Sequence, residues 1–264
     1  MAMQGNALNA LTRCLYRIMI DHVTVAMRHP AEDFRFEEVA AQSLRTQIAE
    51  RIRLAILEGS LHEGERIVER KLAGQFNASL TAVREALIEL ETEGYVTKKP
   101  NSSTHVKRLT AEDIEQVFEG RRMLEAGAVE KAAIMASESD IRLMEERFFD
   151  LLEAARAADK RIFLRRDFAF HEEIWKSVRN PYLTNALTRL VLPMIASCAD
   201  RLLVSGAPFD LLRDAQSHLP LLDAIKARNP EAARIAFSAA MGEWHSTTRR
   251  VFDAGTEEKN SAAP

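Results

Sequence analysis

The feature that most constrains the fold is a pair of short amphipathic helices separated by a tight turn, in residues 68–90. Apolar residues recur at helical spacing on both sides of this turn, at Val68, Leu72, Phe76, Val83, Ala86, Leu87 and Leu90. Such stripes predict two buried helix faces that pack on each other. Asn77 tolerates the left-handed backbone of a turn, and Ser79 is a suitable N-cap for the second helix. The pattern predicts a helix-turn-helix, whose second helix can enter a DNA groove.

The flanking residues complete a winged domain. A third apolar stripe precedes the pair, at Leu44, Ile48, Ile52 and Ile56. This stripe predicts a helix that starts at Ser43 and ends at Gly59. After Gly94 the spacing becomes that of two short strands, near residues 95–98 and 104–107, around a Pro-Asn-Ser-Ser turn. Three helices followed by a small basic β-hairpin, the wing, predict a winged helix-turn-helix domain over residues 41–109.

The second half of the chain has only helical periodicity. Thr110 and Asp113 form a capping-box pattern at the start of a long helix, and Ser139 or Asp140 is expected to cap the next one. Later helices are expected over residues 160–178, from 181 toward 203, from about 218, and from 230 to a point before Gly255. We predict a mostly α protein, with the winged domain joined to an antiparallel all-helical bundle over residues 110–254. Residues 1–40 are expected to form an extension, helical in part, and residues 255–264 a disordered tail.

The charge distribution, the cysteines and the lengths of the apolar stretches indicate which partners and which compartment to expect. The net charge is -3, but residues 43–109 carry 11 Lys and Arg against 9 Asp and Glu, so that a basic module sits on an acidic body. That distribution is typical of a specific DNA binder. Cys14 and Cys198 are too far apart to indicate a disulfide framework or a zinc knuckle, which favours a reducing cytoplasm. No apolar stretch reaches about 18 residues, so a membrane span is not expected.

Two motifs carry a family resemblance. The VREAL segment at residues 83–87 and the EGY segment at 93–95 resemble the DNA-binding domain of the GntR family of bacterial transcription regulators. The all-helical remainder resembles the FCD effector domain of the FadR-type branch, and the resemblance covers about residues 41–252. Leu80 and Ala82 stand where the family usually has arginine and proline, and Ser102 and Ser103 replace its common wing glycine. We expect the DNA preference to be this chain's own.

Arg84 is the main candidate for contact with a DNA base. It extends from the exposed side of the second helix, where a guanidinium can bridge two acceptors on guanine, and the resemblance implies the same role. Further DNA contacts are expected at Arg70, Ser79, Leu80, Thr81, Lys98, Lys99 and Asn101. The alternative is that Arg84 only pairs with a nearby glutamate on a solvated face.

Asp167 and His171 are four residues apart, so both side chains leave one helix face and can bind one metal ion. The resemblance implies that such a pair joins two later histidines around a divalent metal such as Zn, Ni or Mn, and His218 matches the first. Ala240 stands at the second position. His245, the nearest histidine, lies about 500° of helix rotation farther on and would reach the metal only if the helix bends or the alignment slips. A metal-free polar pocket is the alternative, and no organic cofactor is expected.

The resemblance also implies a small carboxylate or acyl compound as effector. Arg121, in the segment RRMLE, is a candidate for binding it because a guanidinium fork matches a carboxylate. An ion pair with Glu125, four residues later, is the alternative. Asn180 is expected either to line the same pocket or to cap a helix.

These expectations describe a homodimeric, metabolite-responsive transcription regulator that binds an inverted-repeat operator and is not an enzyme. One rival is a metal-dependent enzyme with Asp167, His171 and His218 as ligands and Glu172 as base. The winged domain would be superfluous to such an enzyme, and no HExxH pairing is present in the sequence. A second rival is a ligand sensor with impaired DNA binding, which only Leu80 and Ala82 indicate.

Overall fold

The computed structural model of the chain describes residues 43–98, 103–204 and 209–261. The extension expected at residues 1–40, together with Lys99 and Asn101 of the wing, lies outside these ranges. Within them, three helices and a small sheet are followed by seven helices, which confirms the mostly α fold class. None of the helices in these ranges is both long enough and apolar enough to span a membrane.

The winged domain consists of α1 (Leu44–Leu57), β1 (Arg66–Ile67), α2 (Glu69–Phe76), α3 (Leu80–Thr92), β2 (Val96–Lys98) and β3 (Thr104–Val106). The strands form an antiparallel sheet in the order β1-β3-β2, with Ile67 opposite Thr104 and Thr97 opposite His105. Only β2 and β3 were predicted, because a strand of two residues is too short to show an alternating pattern.

The turn of the helix-turn-helix forms as predicted. Asn77 adopts a left-handed backbone with a φ of 48°, and the Ser79 hydroxyl accepts a hydrogen bond from Ala82 N at 3.1 Å. Helix α3 is the second helix of the helix-turn-helix and the predicted recognition helix. It packs against α1, α2 and β2, which buries the predicted stripe of Val83, Ala86, Leu87 and Leu90. The prediction of a buried face on α2 was wrong in part: Val68 is 45% exposed, and Leu72 and Phe76 are half-buried. The reason is that α3 is the main packing partner of α2, so only one side of α2 is covered.

The helical domain consists of α4 (Ala111–Met135), α5 (Glu138–Arg156), α6 (Lys160–Ser177), α7 (Pro181–Val204), α8 (Leu211–Ser217), α9 (Leu219–Lys226) and α10 (Pro230–Ser261). Thr110 and Asp113 form both hydrogen bonds of the predicted capping box. The next box is capped by Ser137 rather than Ser139 or Asp140, and Asp140 is its acidic partner. The last helix continues past Gly255, its expected end, because one glycine inside a helix costs only about 1 kcal/mol.

Helix α7 contributes to the hydrophobic cores of both domains. Val191 and Ile195 are buried in the helical domain, whereas Ala196 is buried among residues of the winged domain. A polar contact reinforces this junction: the carboxylate of Glu63, in the loop after α1, accepts hydrogen bonds from Arg201 Nε of α7 at 3.0 Å and from Leu109 N at 3.1 Å. The winged domain is therefore docked on α7 by apolar and charged contacts together.

Candidate functional site

The outer face of α3 is the candidate DNA-contact surface. Leu80 is 36% exposed at the start of the helix, Thr81 is exposed beside it, and the Arg84 side chain is 58% exposed one turn later. Arg70 on α2 and Lys98 at the end of β2 are also exposed. Ser79 is committed to capping α3 through its hydroxyl. The described residues of the predicted contact set are thus solvent-accessible, apart from the engaged hydroxyl of Ser79.

Arg84 forms the glutamate pair that the alternative interpretation requires. Its Nε donates a hydrogen bond to Glu69 Oε2 of α2 at 2.7 Å, and the Glu69 side chain is 24% exposed. An exposed pair of this kind contributes only about 0–1 kcal/mol to stability. The contact is therefore compatible with a second role for Arg84 on DNA.

A small cavity in the helical domain brings the other predicted residues together. It is lined by side chains from four of the helices and from the junction of α8 and α9, namely Arg121, Asp167, His171, Asp214, His218, Phe237, Ala240, Met241 and Trp244. Its volume of about 20 Å³ is enough for one water molecule or ion. In this conformation a metabolite of several carbons does not fit.

Three potential ligand atoms point into the cavity. His218 Nε2 lies 3.0 Å from Asp167 Oδ1 and 3.1 Å from His171 Nε2, and His171 Nε2 lies 3.9 Å from Asp167 Oδ1. Ligands about 2.0–2.2 Å from a zinc ion, at angles of about 90–110°, are separated by about 3.0–3.5 Å. The triangle of atoms therefore fits a divalent metal after a shift of a few tenths of an ångström.

The outer contacts of both histidines also suit metal binding. His218 Nδ1 lies 2.9 Å from the carbonyl oxygen of Asp214, so a proton on Nδ1 leaves the lone pair of Nε2 directed at the cavity. His171 Nδ1 has no hydrogen-bond partner among the described residues and faces Glu125 Oε2 at 3.7 Å. A hydrogen-bonded outer nitrogen orients a metal-bound imidazole, as the contact of His218 Nδ1 does here. The Nε2 atoms of the two rings lie 3.1 Å apart.

The electrostatics of the cavity depend on burial. Burial lowers the pKa of His171 to about 3, which keeps this imidazole neutral. Burial also opposes a charge on His218, but the hydrogen bond and charge of Asp167 outweigh it and raise the pKa of His218 to about 9. Burial raises the pKa of Asp214 to about 7. Without a metal, a proton on His218 Nε2 would occupy the space between Asp167 and His171.

Arg121 lines the cavity but already has an anionic partner. Its Nε donates to Glu125 Oε1 at 2.5 Å, and the two side chains are 5% and 0% exposed. The ion pair that the sequence left as an alternative is thus present. Burial raises the pKa of Glu125 although the charge of Arg121 opposes the shift.

Two predicted residues lie away from the cavity. His245 Nε2 pairs with Glu115 at 2.9 Å, and its ring contacts that of Phe118 at a centroid distance of 4.5 Å. Ala240 lines the cavity instead, because five residues of rotation place His245 on another side of α10. Asn180 Oδ1 accepts a hydrogen bond from Leu183 N at 3.2 Å, and the residue does not line the cavity, so its contact is that of a helix cap.

Asp214 is a cavity residue that the sequence analysis missed. It precedes His218 by four residues, the same spacing as Asp167 and His171, and it also lines the cavity. Its carboxylate does not belong to the group of Asp167, His171 and His218, whose ligand atoms lie within 4.8 Å of one another. The repeated Asp-x-x-x-His spacing was the available signal, but α8 is too short to be recognised from periodicity.

A winged domain with an exposed arginine on its recognition helix, joined to a helical domain with a polar cavity, defines a DNA-binding transcription regulator. Residues 44–106 match the family model described as "Bacterial regulatory proteins, gntR family", and residues 116–242 match the model of the FCD domain. The chain belongs to the GntR family, in the branch that carries an FCD domain.

Relatives of known sequence and structure agree with this assignment. The chain is 28% identical over 198 residues to the "Probable D-xylose utilization operon transcriptional repressor" of Paenarthrobacter nicotinovorans, with 74% of this chain and 85% of that protein covered. It is 27% identical over 203 residues to the "HTH-type transcriptional regulator LutR" of Bacillus subtilis (strain 168), with coverages of 70% and 91%. The structure of E. coli McbR/YncC superposes with a TM-score of 0.71 at 23% identity, with coverages of 80% and 99%, and shows the same fold. These proteins are regulators, so the enzyme interpretation is set aside.

Proposed function

We propose that this regulator is a cytoplasmic homodimer whose affinity for an inverted-repeat operator is controlled by a small carboxylate or acyl compound at a metal-containing FCD cavity. The observation that carries the proposal is the buried cluster of Asp167, His171 and His218, whose ligand atoms lie within 4.8 Å of one another. Each protomer would place one α3 in a major groove, and a two-fold dimer would read two half-sites.

The charges around the cavity support a divalent cation. Asp167, Asp214 and Glu125 supply three carboxylates, whereas Arg121 supplies one permanent positive charge. Metal binding would displace the proton that the raised pKa places on His218. With neutral histidines and all three carboxylates ionised, the cluster would then carry a charge of -2, which a divalent ion would compensate. A metal ion held by Asp167, His171 and His218 would neutralise it and would offer an open coordination position to an effector carboxylate.

The size of the cavity implies that effector binding changes the domain. Because about 20 Å³ holds a single ion or water, a metabolite must displace lining side chains, and four of them belong to α10. Farther along α10, Phe252 lies 3.8 Å beneath the guanidinium of Arg201, measured from the ring centroid. Arg201 in turn binds Glu63 of the winged domain. A shift of α10 therefore has a short route to the docking of the winged domain.

This route fits regulation by unequal affinity for two states. A ligand changes operator affinity only if it binds one arrangement of the winged domains better than the other. The contact of Arg201 with Glu63 would differ between those arrangements. The name of the P. nicotinovorans relative refers to the operon for use of D-xylose, which supports a metabolite as the controlling signal here.

The test combines metal analysis with operator binding. An operator is first selected by the full-length protein from random-sequence duplexes. Metal content is then measured by mass spectrometry for the wild type and for Asp167→Ala after saturation with Zn²⁺, Ni²⁺ or Mn²⁺, and small carboxylates are titrated against the operator complex. We expect one metal per chain in the wild type, less in the variant, and an operator affinity that changes with one carboxylate class. If the wild type binds no metal, the proposed metal site is refuted. If no duplex is selected, the proposed operator binding through the outer face of α3 is refuted.

A further inference from the structure

The ion pair between the recognition helix and α2 involves one particular atom of the guanidinium. Arg84 donates to Glu69 through Nε, at 2.7 Å, and within the described part of the chain no hydrogen bond reaches its Nη1 or Nη2. The Arg84 side chain stays 58% exposed despite this contact. The end of the guanidinium that carries two amino groups is thus left available.

That arrangement matches what reading guanine requires. In the major groove guanine presents two acceptors, O6 and N7, and an arginine can meet both with a pair of N–H donors. An end-on contact uses Nη1 and Nη2 and leaves Nε unused. A carboxylate bound at Nε is therefore compatible with the base contact, whereas a carboxylate bound across Nη1 and Nη2 would block it.

We propose that Glu69 is a positioning residue for base recognition: it holds Arg84 by Nε so that the two terminal amino groups face the guanine edge. The inference rests on the proposed base contact of Arg84 and adds a residue that acts through it. Glu69 itself touches no DNA in this arrangement. Its effect is on sequence discrimination rather than on general attraction to DNA.

The backbone around the pair is suited to this role. Glu69 is the first residue of α2, where an acidic side chain is stabilised by the unpaired N–H groups of the helix start. Arg84 lies in the second turn of α3, and the connection between the helices is fixed by the left-handed Asn77 and the cap of Ser79. The two side chains are 15 residues apart in sequence but project from helices in a defined orientation. Less side-chain freedom then remains to be lost when DNA binds.

If Glu69 only shields the charge of Arg84, a different experimental result is expected. If Glu69 only shielded Arg84, removing its negative charge would strengthen binding to every DNA duplex, because phosphate attraction is independent of sequence. If Glu69 positions Arg84, the same change weakens binding to the preferred sequence while binding to other sequences rises slightly. The ratio of the two affinities separates these roles.

The experiment uses three probes with the full-length protein: the duplex selected by the wild type, a scrambled duplex of equal length, and the selected duplex with 7-deazaguanine in place of guanine. For Glu69→Gln we expect up to about fivefold weaker binding to the selected duplex, because the pair that orders Arg84 is itself worth no more than about that factor. Binding to the scrambled duplex should rise slightly. The penalty for 7-deazaguanine, which lacks the N7 acceptor, should shrink. Glu85→Gln is the matched control, because it removes the same charge from an exposed position next to Arg84 and Glu85 forms no hydrogen bond within the described residues.

Three results would overturn the proposal: stronger binding of Glu69→Gln to both duplexes, equal behaviour of Glu69→Gln and Glu85→Gln, or an unchanged penalty for 7-deazaguanine. Circular dichroism checks folding. Glu69→Asp, which keeps the charge but shortens the side chain by one methylene, is the second variant and should lose affinity for the selected duplex without gaining on the scrambled one. Arg84→Ala distinguishes the base contact of Arg84 from the positioning role of Glu69. If Arg84→Ala binds the selected duplex like the wild type, the base contact is refuted. If Arg84→Ala loses binding while both Glu69 variants bind like the wild type, only the positioning role is refuted.

Discussion

Replacing Arg121 with alanine tests whether this residue is structural or reserved for an effector. The change would leave Glu125, whose side chain is 0% exposed, without the cation that now lies 2.5 Å from it. Removing one partner of a buried ion pair costs about 3–5 kcal/mol, because the remaining charge is uncompensated. Total stabilities of about 5–15 kcal/mol make a loss of this size easy to measure. We expect Arg121→Ala to lower the free energy of unfolding of the helical domain by about 3 kcal/mol at pH 7.

The natural fluorophores make the measurement specific to that domain. The two tryptophans of the sequence are Trp175 on α6 and Trp244 on α10, so urea unfolding followed by tryptophan fluorescence reports on the helical domain alone. Arg213→Ala is the control, because its pair with Glu243 is exposed on both sides and should be worth less than about 1 kcal/mol. The double replacement of Arg121 by Met and Glu125 by Leu should recover most of the loss, since it removes both buried charges.

The loss should also depend on pH with a defined sign. Burial already raises the pKa of Glu125 above its usual range, and removal of Arg121 raises it further. A carboxyl group whose pKa is higher in the folded state favours folding when it is protonated, so the deficit should shrink as the pH falls through the folded-state pKa. A deficit below about 1 kcal/mol at pH 7 would refute the structural role and leave Arg121 free for an effector.

The remaining predictions concern the metal site, a helix cap and the DNA face. Ala240→His should raise metal affinity by more than about tenfold, measured by competition with a chelator. The change places a fourth ligand on the cavity wall, and even residues that only hydrogen-bond to a metal ligand contribute about tenfold; unchanged affinity would show that position 240 cannot reach the ion. Ser137→Ala should cost about 1 kcal/mol in urea unfolding and Ser139→Ala much less, because the Ser137 hydroxyl accepts the cap hydrogen bond from Asp140 N at 3.2 Å; equal costs would contradict the cap assignment. Leu80→Arg should steepen the salt dependence of operator binding by about one phosphate contact, and an unchanged slope would place position 80 away from the backbone.

The cavity and the recognition helix impose different demands on the same chain. The proposed DNA face consists of exposed side chains with weak ionic contacts, so Arg84 would be able to exchange water for a base. In the cavity Arg121 and Glu125 compensate each other's buried charges, and the neutral His171 lies beside Glu125. Helix α7 connects the two because it contributes residues to both cores. An effector signal of the proposed kind would therefore reach the winged domain through this packing and through the contact of Arg201 with Glu63.

The sequence by itself determined the winged domain and the helical class of the remainder, because these depend on local periodicity and caps. The apolar stripe of α3, the left-handed Asn77, the cap of Ser79 and the box of Thr110 with Asp113 involve residues a few positions apart. The spacing of Asp167 and His171 was readable for the same reason, since four residues span one helical turn. The two-residue β1 and the short α8 had too few residues to produce a pattern.

Only the tertiary structure decided which residues share the cavity and which partners they have. Asp214 and His218 meet Asp167 and His171 because α8 packs mainly against α5 and also contacts α6, across more than 40 residues of sequence. The packing of α10 against α4 directs His245 toward Glu115, and Ala240 of α10 lies on the cavity wall. The spacing of four residues already offered Glu125 as a partner of Arg121, and only the burial of both side chains decided for it. The pairing of Glu69 with Arg84 depends on the orientation of two different helices. Long-range contacts of this kind are set by how whole helices pack, and spacing along the chain does not encode them.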